Sequence, residues 1–426
     1  MINIGVLGCG TVASGVYRLL QNNRYNIIKQ AGEDVVIKKI LARTPEKALK
    51  LGIRTEQICS DIEPIINDPD ISVVVELIGG VDDAYTFVRR ALMAKKHVVT
   101  ANKDLLAQSF TELYTLANEN GVSLSFEASV GGGIPLIGPL YRTLAASPVD
   151  SITGILNGTT NYILTCMSRD GIGYAEALQR AQQLGYAEAN PTADVDGFDA
   201  ARKIAILASL AFHSTVTASD VDCTGISAIT KTDIDFAASN GFAVKLLAMG
   251  KHDENGISVS VRPALVPLSH PLASVSDAYN AVFLSGKGLG DVMLYGQGAG
   301  AAPTAGSVVG DILEICRRGK DSGSLSVSSL IYEDLPIVDA GEAEGAFYIR
   351  LMVHDKPRVL AGIAGILSDH GISLASLVQA QREGDMAELM LFTHSAKSGW
   401  VDAAMTELKK KEYVVSGNSI LCFGRA

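Results

Sequence analysis

The sequence predicts an α/β protein that begins with a doubly wound parallel sheet of the Rossmann type and ends with a small ferredoxin-like module. Short apolar runs alternate with helical patterns as far as Phe126, which is typical of a parallel sheet covered by helices on both faces. The pattern changes at Gly131-Gly132-Gly133, after which helices and alternating strands are mixed. From Phe347 to Phe423 the order strand, helix, strand, strand, helix, strand is that of a ferredoxin-like βαββαβ module.

Five apolar runs predict the strands of the first sheet. The run from Ile71 to Ile78 is almost entirely apolar, as expected of a strand that is buried on both faces. The predicted strands are Ile2–Leu7, Val35–Ala42, Ile71–Ile78, His97–Thr100 and Val122–Phe126. Helices are expected between them. Thr44-Pro45 has the N-cap and first-turn residues of one helix, and Ser60 to Glu63 has the pattern of a capping box for another.

The rest of the chain predicts an α+β region, a linker and the terminal module. The predicted helices of the α+β region are Pro135–Ala145, Thr160–Ser168, Tyr174–Leu184, Phe198–Phe212 and Thr304–Arg317, and its predicted strands are Gly256–Val261, Ala281–Ser285 and Val292–Tyr295. We therefore predict domains at residues 1–130 (completed by the helix at 302–318), 131–318 and 345–426. A linker at 319–344, rich in Ser, Gly and charged residues, precedes the last domain.

The composition excludes several classes of function. The formal net charge of −10 repels a phosphate backbone, so nucleic acid is not expected as a partner. The longest apolar run, from Ile204 to Phe212, is much shorter than the ~20 residues of a membrane span, and the N-terminus lacks the basic stretch of a signal peptide. Six cysteines are scattered without a CxxC pair, as expected of reduced thiols. The sequence thus predicts a cytoplasmic protein with no membrane partner.

A glycine-containing turn after the first strand indicates a dinucleotide site. Gly8-Cys9-Gly10-Thr11-Val12-Ala13 fits G-x-G-x-x-G/A. The first glycine allows the tight turn, the second lets the backbone approach a pyrophosphate, and the small third residue lets helix and strand pack closely. The turn follows a strand and opens a helix, whose N-terminus favours anionic oxygens. We therefore predict that Gly8, Gly10, Thr11, Val12 and Ala13 bind the cofactor.

Residues after two other strands extend this site. The second strand leads to Arg43, where an NAD-selective site usually has an acidic residue, and a cation suits the 2′-phosphate of NADP. NADP is therefore favoured, and NAD is the alternative in which Arg43 is merely solvated. Thr100 and Lys103 lie at and beyond the carboxyl end of another strand, where doubly wound sheets place ligands. Lys103 is either a functional cation there or an ordinary first-turn helix residue.

Acidic residues and a lysine cluster between residues 188 and 203. Asp199 and Lys203 are four residues apart on a predicted helix and can pair. One interpretation is a surface ion pair worth ~0.3–0.5 kcal/mol. The other is a catalytic group, because Glu188 and Asp194 bring further carboxylates to the start of the same helix. A lysine held among carboxylates can donate a proton to an alkoxide.

Several longer motifs resemble homoserine dehydrogenase. The segments that carry the resemblance are Gly8–Val12, Val98–Lys103, the Asn-Gly-Thr-Thr-Asn-Tyr string within Gly154–Leu164, Gly185–Gly197 and Asp199–Lys203. They occur in order within the first 315 residues, and the tail is similar to an ACT module, the amino-acid-sensing domain of many bacterial members. Departures include Asn190, where members commonly have Asp, and Cys9, where they commonly have Leu.

The resemblance implies an activity and a set of site residues. The family interconverts L-aspartate 4-semialdehyde and L-homoserine with NAD(P)H, in the synthesis of threonine, methionine and isoleucine. By resemblance, Lys203 is the general acid that donates a proton to the carbonyl oxygen, and Glu188 binds the substrate ammonium. The other implied catalytic residues are Lys103 and Asp199, the implied substrate-binding residues are Glu188, Asp194, Asp199, Tyr186 and Lys103, and Gly298 and Gly300 are implied in cofactor binding.

The resemblance also implies a monovalent cation and an amino-acid effector. Glu127, Val130, Gly132 and Ile134 match the family's cation loop, and their carboxylate and carbonyl oxygens suit Na⁺ or K⁺. The alternative is a glycine-rich crossover between domains. The tail matches the ACT ligand loop at residues 355–360 and 370–373, which implies feedback binding of threonine; the alternative is a dimerisation module that senses nothing. A homodimer or homotetramer is expected.

Two other functions compete with this one. A different NAD(P)-dependent amino-acid or aldehyde dehydrogenase of the same layout would share the Rossmann half, but the Asn-Gly-Thr-Thr-Asn-Tyr string argues against it. A non-catalytic amino-acid sensor is expected to lack the lysine–carboxylate set, which is intact in this sequence.

Overall fold

The computed structural model describes residues 1–318, 330–381 and 384–424. The chain divides into two compact units. The first comprises residues 1–150, 205–218 and 284–335, and the second comprises residues 151–204, 219–283 and 336–426. The predicted linker at 319–344 lies partly outside the described residues, at 319–329.

The first 150 residues contain six strands and six helices. The strands are β1 (Ile2–Leu7), β2 (Val35–Leu41), β3 (Ile58–Cys59), β4 (Ile71–Glu76), β5 (His97–Thr100) and β6 (Leu124–Ser125). The helices are α1 (Thr11–Asn22), α2 (Arg24–Ala31), α3 (Pro45–Lys50), α4 (Glu63–Ile66), α5 (Asp82–Met93) and α6 (Lys103–Glu119). All five predicted strands are confirmed.

These six strands form one parallel sheet. Their order is β3-β2-β1-β4-β5-β6, and every pairing in it is parallel. Strands β2 and β3 lie on one side of β1, and β4, β5 and β6 lie on the other, so the strand order changes direction after β3. The carboxyl ends of β1 and β4 therefore border the crevice in which doubly wound folds bind ligands. The predicted Rossmann-type sheet is confirmed.

Residues 151–318 contain six further strands and six further helices. The strands are β7 (Ser151–Ile155), β8 (Asp222–Cys223), β9 (Phe242–Asp253), β10 (Gly256–Pro267), β11 (Tyr279–Gly286) and β12 (Gly290–Gln297). The helices are α7 (Gly158–Asp170), α8 (Tyr174–Gln183), α9 (Thr192–Val195), α10 (Phe198–Ala211), α11 (Lys231–Ser239) and α12 (Ala301–Arg318). The sequence pattern does not predict β7, β8, β9, α9 or α11.

Helix α12 packs against α1 in the first unit. Ala305, Val308 and Ile312 of α12 share one buried apolar core with Val16 of α1. A Cβ atom on Gly15 would lie only 2.2 Å from the carbonyl oxygen of Ala301, so the close approach of the two helices requires glycine at this position.

One predicted helix is shorter than expected, and one predicted helix start is wrong. The helix predicted at Pro135–Ala145 is found as the wide helical turn Pro139–Thr143, preceded by helical residues 137 and 138. The predicted capping box at Ser60 to Glu63 does not form. Helix α4 begins only at Glu63, and the carboxylate of Asp61, rather than the hydroxyl of Ser60, accepts from the Glu63 backbone N–H at 3.0 Å.

The tail forms the predicted ferredoxin-like module. Its elements are β13 (Glu344–His354), α13 (Val359–Asp369), β14 (Leu374–Gln381), β15 (Met386–Thr393), the two-residue β16 (Ala396–Lys397), α14 (Ser398–Leu408) and β17 (Val414–Cys422). The main strands pair antiparallel in the order β17-β13-β15-β14, and both helices share one apolar core with them. The βαββαβ order is confirmed.

The sheet of the second unit continues beyond this module. Strand β17 pairs in parallel with β10, which forms a long antiparallel hairpin with β9. The strand order is β11-β7-β9-β10-β17-β13-β15-β14. Of the helices in residues 1–318, 330–381 and 384–424, none combines the length and the apolar character of a membrane span.

Candidate active site

The glycine turn between β1 and α1 lines a cavity of about 360 Å³ in the first unit. Gly8 has a φ of 101°, and a Cβ atom there would lie 2.8 Å from the carbonyl oxygen of Leu77, so this position requires glycine. A Cβ atom on Gly10 would meet nothing within 4 Å. Thr11, Val12 and Ala13 form the first turn of α1, whose backbone N–H groups have no partner within the helix. The turn is thus a cradle for an anion at a helix N-terminus.

Arg43 lines the same cavity. Its guanidinium is 85% exposed and forms an ion pair with Asp83 in α5. An exposed pair of this kind contributes little to stability. Arg43 therefore lies close to the end of β2, as the sequence predicts, but the sequence does not predict its acidic partner Asp83.

The carboxyl ends of β4 and β5 carry a buried set of hydrogen bonds. Thr100 Oγ1 donates to Glu76 Oε2 at 2.6 Å and accepts from the backbone N–H of Asn102 at 3.0 Å. The side chain of Asn102 caps α6, in which Lys103 is the first residue. Burial raises the pKa of Glu76, which the sequence analysis missed although it is an acidic residue at the end of an apolar strand. Thr100 therefore lies at the predicted crevice, where it is bonded to a buried carboxyl group.

The loops at residues 131–134 and 297–300 lie against each other in the first unit. A Cβ atom on Gly132 would lie 2.5 Å from the carbonyl oxygen of Gly298, and Gly133 N donates to Gln297 O at 3.1 Å. Gly300, with a φ of 118°, immediately precedes α12. The glycines therefore permit two backbone segments to touch, which is what the glycine-rich crossover interpretation requires.

Glu127 binds backbone amides of the following segment. Its Oε1 accepts from Leu136 N at 2.5 Å and from Ile137 N at 2.9 Å, and its Oε2 accepts from Gly138 N at 2.7 Å. Its own backbone N–H donates to Asp311, whose pKa is raised well above the usual value by burial and by the nearby Glu127 charge. Across the described ranges, no group of three or more His, Cys, Asp or Glu side chains is arranged to hold a metal ion.

Lys203 lies on α10 in the second unit, one turn after Asp199. Its Nζ donates to Asp199 Oδ2 at 2.7 Å and to the carbonyl oxygen of Leu156 at 2.7 Å. The two side chains are only 13% and 12% exposed, whereas the pair Lys231–Asp235, with the same spacing on α11, is 50% and 57% exposed. The Asp199–Lys203 pair is therefore not a solvated surface ion pair.

Asn157 connects this pair to Asp194. Its Nδ2 donates to Asp194 Oδ1 at 2.7 Å and to Asp199 Oδ2 at 2.8 Å. Thr159 Oγ1 lies 3.1 Å from Asp194 Oδ2. The structure thus brings together three predicted site residues, Lys203, Asp199 and Asp194. It joins them through Asn157, which the sequence analysis quotes only as part of a motif.

Two other predicted substrate residues lie outside this hydrogen-bonded set. The ring of Tyr186 is 47% exposed and lies 4.7 Å from the ring of Tyr162. The Glu188 side chain is exposed, and its backbone carbonyl accepts from Gln182. Within the part of the chain that the structure describes, neither side chain is hydrogen-bonded to Lys203, Asp194 or Asp199. Both remain accessible to a ligand.

A larger cavity of the first unit contains none of these residues. It has a volume of about 650 Å³ and lies beside α6, with Leu106, Phe110 and Leu210 among its lining side chains. Because it brings together none of the chemistry described above, we assign the sites by their convergent polar groups and not by cavity size.

A Rossmann sheet with a glycine cradle is typical of a dinucleotide-dependent oxidoreductase, and a buried lysine–carboxylate pair can provide the proton donor for the reduction of a carbonyl group. Comparison with known proteins then assigns the family. Family models described as homoserine dehydrogenase, as the NAD-binding domain of homoserine dehydrogenase and as the ACT domain match residues 135–313, 8–127 and 347–412. The chain belongs to the homoserine dehydrogenase family and carries a C-terminal ACT domain, which indicates an amino-acid effector.

Named relatives and solved structures agree with this assignment. Homoserine dehydrogenases from Synechocystis sp. and Corynebacterium glutamicum are 41% and 42% identical to this chain; each match covers 99% of it, and 99% and 95% of those proteins. The crystal structure of a homoserine dehydrogenase from Thiobacillus denitrificans has a TM-score of 0.91 at 36% identity and covers 99% of this chain and 98% of that one. A hyperthermophilic archaeal homoserine dehydrogenase in complex with NADPH has a TM-score of 0.64 at 26% identity, covering 75% and 98%.

Proposed function

We propose that this chain catalyses the reversible, NAD(P)H-dependent reduction of L-aspartate 4-semialdehyde to L-homoserine, with Lys203 as the proton donor. The observation that carries this proposal is the buried contact of Lys203 Nζ with Asp199 and with the Leu156 carbonyl. An ammonium has three N–H donors, so these two acceptors leave one for the carbonyl oxygen of a substrate. Negative charge grows on that oxygen as hydride reaches the carbon, and a fixed ammonium stabilises it and then donates its proton.

The remaining residues hold the reactants. When bound, the nicotinamide cofactor supplies or accepts the hydride. In the oxidative direction, neutral Lys203 accepts the hydroxyl proton of homoserine while Asp199 keeps the amine in place. The carboxylates of Asp194 and of the exposed Glu188 suit the substrate ammonium, with Tyr186 beside them. Lys103 is proposed to orient the substrate from the first turn of α6.

We propose NADP as the preferred dinucleotide, with NAD as the alternative. The cradle at Gly8 and Gly10 fits a pyrophosphate, because one glycine has no room for a Cβ atom and the other opens to the solvent side. The Arg43 cation lines the same cavity and suits a 2′-phosphate. The archaeal relative in complex with NADPH supports the same preference.

A monovalent cation, Na⁺ or K⁺, is proposed at the loop of Glu127, Val130, Gly132 and Ile134. Its support is the donor set, since carboxylate and carbonyl oxygens are hard ligands. Glu127 already accepts three amide N–H groups, and the Gly132 carbonyl accepts from Ser307 Oγ at 2.6 Å, so a cation would share these oxygens. We expect kcat to fall when Na⁺ and K⁺ are replaced by a bulky organic cation; unchanged rates would contradict the proposal.

We further propose threonine as the effector of the ACT domain, a homodimer or homotetramer as the assembly, and the cytoplasm as the site of action. Threonine should inhibit the intact chain, and a Lys356→Ala variant in the matched ligand loop should be less sensitive. The intact chain is needed because β17 pairs with β10 of the same unit, so a deletion of the tail would break that sheet. Light scattering measures the assembly.

The central test is a spectrophotometric assay of homoserine oxidation with NADP⁺ and with NAD⁺. We expect Lys203→Ala to lower kcat by ~10²–10⁴-fold while cofactor binding is kept, the usual size of a general-acid contribution. Lys231→Ala, which removes the exposed pair of the same spacing, is the matched control and should leave kcat unchanged. A Lys203→Ala enzyme within a few-fold of wild type would disprove the role of Lys203.

A further inference from the structure

The side chain of Asn157 touches both carboxylates beside Lys203. We propose that Asn157 is a positioning residue: its amide group holds Asp194 and Asp199 together so that Asp199 keeps Lys203 in place for proton transfer. This inference rests on the proposed function of Lys203 and adds a residue that acts through it.

Both N–H donors of the Asn157 amide are used by carboxylates from different elements. One goes to Asp194 in α9 at 2.7 Å, and the other goes to Asp199 in α10 at 2.8 Å. These acidic residues lie 37 and 42 positions further along the chain. The side chain of Asn157 therefore links α9 to α10.

The orientation of the amide is fixed by the other end of the same side chain. Oδ1 of Asn157 accepts from the backbone N–H of Thr160 at 2.9 Å, which makes Asn157 the N-cap of α7. With the oxygen bound to a backbone donor, the nitrogen must face the carboxylates. The segment itself is held tightly, since a Cβ atom on Gly158 would lie 2.8 Å from the Ala278 carbonyl oxygen.

Residues 156 and 157 together hold the catalytic pair from both sides. The carbonyl oxygen of Leu156 accepts from Lys203 Nζ, and the amide of Asn157 donates to the same Asp199 oxygen that receives the lysine. The Asp199 side chain is only 12% exposed, and a buried carboxylate needs donors to offset the loss of water. Two carboxylates that share one site also repel each other unless a donor lies between them. Without the amide, Asp194 and Asp199 would separate and Lys203 would lose its fixed position.

Substitutions by Ser, Asp and Ala separate this role from helix capping. Ser and Asp are good N-cap residues and keep an acceptor for the Thr160 N–H, whereas Ala is not. The Asp variant has no N–H donor, and the short Ser hydroxyl cannot bond both carboxylates. A residue that only caps α7 would therefore allow full activity in Asn157→Ser and would lose it in Asn157→Ala. Asn157→Asp adds a third carboxylate beside Asp194 and Asp199 and should lose activity by repulsion as well.

We expect kcat for homoserine oxidation to fall about 10- to 100-fold in Asn157→Ser, the scale of a small misplacement of a catalytic group, and at least as far in Asn157→Asp. The Kd for NADP⁺ should stay at the wild-type value. The solvent deuterium isotope effect on kcat should rise, because proton transfer becomes slower, and a loss of stability alone would not change it. Thr230→Ala, which removes an N-cap from α11, is the matched control and should alter Tm but not kcat.

A double variant completes the test. If Asn157 acts through Lys203, Asn157→Ser should cost almost nothing further in a Lys203→Ala background. Wild-type kcat in Asn157→Ser, or a full additional loss in the double variant, would overturn the inference. The proposed function fails by a different result, an active Lys203→Ala enzyme, so the two failures are distinguishable.

Discussion

The two candidate sites are built from different parts of the polypeptide. The nucleotide site of the first unit depends on the backbone at Gly8 and Gly10, and its charged group, Arg43, is exposed. The site of the second unit depends on side chains, and its charged pair, Lys203 and Asp199, is buried. A backbone site is specified within a few consecutive residues, whereas a site of buried charges needs partners from distant segments.

Buried charge is also found at a second place in the second unit. The guanidinium of Arg350 in β13 is 6% exposed; its Nε donates to Asp233 of α11 at 2.8 Å, and its Nη1 lies 3.6 Å from Glu388 of β15. Asn418 of β17 donates to the same Asp233 at 3.2 Å. These contacts connect three strands of the ACT domain to α11.

The largest effect is expected from Arg350→Met. Removal of the guanidinium takes away the cation that faces the buried carboxylates of Asp233 and Glu388, and the free energy of unfolding should fall by ~3–5 kcal/mol. The matched control is Arg169→Met, because Arg169 is 55% exposed and pairs with Asp170 and Asp277 at the surface; it should cost less than ~1 kcal/mol. Urea unfolding of both variants measures the difference, and equal losses would remove the contrast between buried and exposed charge.

The next effect concerns Lys245 of β9, which is 5% exposed. Burial lowers the pKa of this lysine from 10.5 to about 8, so between these pH values the unfolded chain binds more protons than the folded chain. The contribution of Lys245 to the free energy of unfolding is therefore lowest below pH 8 and increases as the pH rises from 8 to 10.5. Between pH 8 and pH 10, the free energy of unfolding of the wild type should increase by about 2 kcal/mol relative to that of Lys245→Met.

The control for this measurement is Lys251→Met on the same strand, since Lys251 is 66% exposed. The difference between this variant and the wild type should depend less on pH than that of Lys245→Met, because the pH dependence expected at Lys245 is caused by its burial. A flat pH dependence for Lys245→Met would contradict this effect of burial.

A smaller effect is expected at the nucleotide turn, where alanine substitutions separate stability from binding. Gly8→Ala should lower the free energy of unfolding by ~1–2 kcal/mol, because its φ of 101° is unfavourable for a residue with a Cβ atom. Gly10→Ala has room in the protein and should leave Tm unchanged, but its methyl group faces the cofactor cradle. Its Kd for NADP⁺ should rise about tenfold or more, or ~1.4 kcal/mol. A normal Kd would mean that the pyrophosphate does not approach Gly10.

The same contrast explains what could be predicted from the sequence. The Rossmann sheet and the ferredoxin-like tail follow from alternation that is visible over a few residues. Strand β9 was missed because Leu246, Leu247 and Ala248 favour a helix and because the buried Lys245 breaks the apolar pattern. Lys203 and its acidic neighbours were predicted by residue type and resemblance. The role of Asn157 was not, because no local pattern shows which of the carboxylates 37 and 42 residues away it will bind.

The smallest effect is expected at the exposed cation of the first unit. Arg43→Asp should lower kcat/KM for NADP⁺ about tenfold relative to NAD⁺, or ~1.4 kcal/mol, since it removes a charge that suits the 2′-phosphate and adds one that repels it.

Asp83→Asn should act in the opposite direction by a few-fold, because it releases Arg43 from its ion pair. Arg24→Asp, which changes another exposed arginine of the same unit, is the control and should leave the ratio unchanged. High salt should weaken the effects of Arg43→Asp and Asp83→Asn, since exposed charges are screened, while the consequences of changing the buried Arg350 should persist. An unchanged NADP⁺/NAD⁺ ratio in Arg43→Asp would mean that the preference is set by the backbone alone.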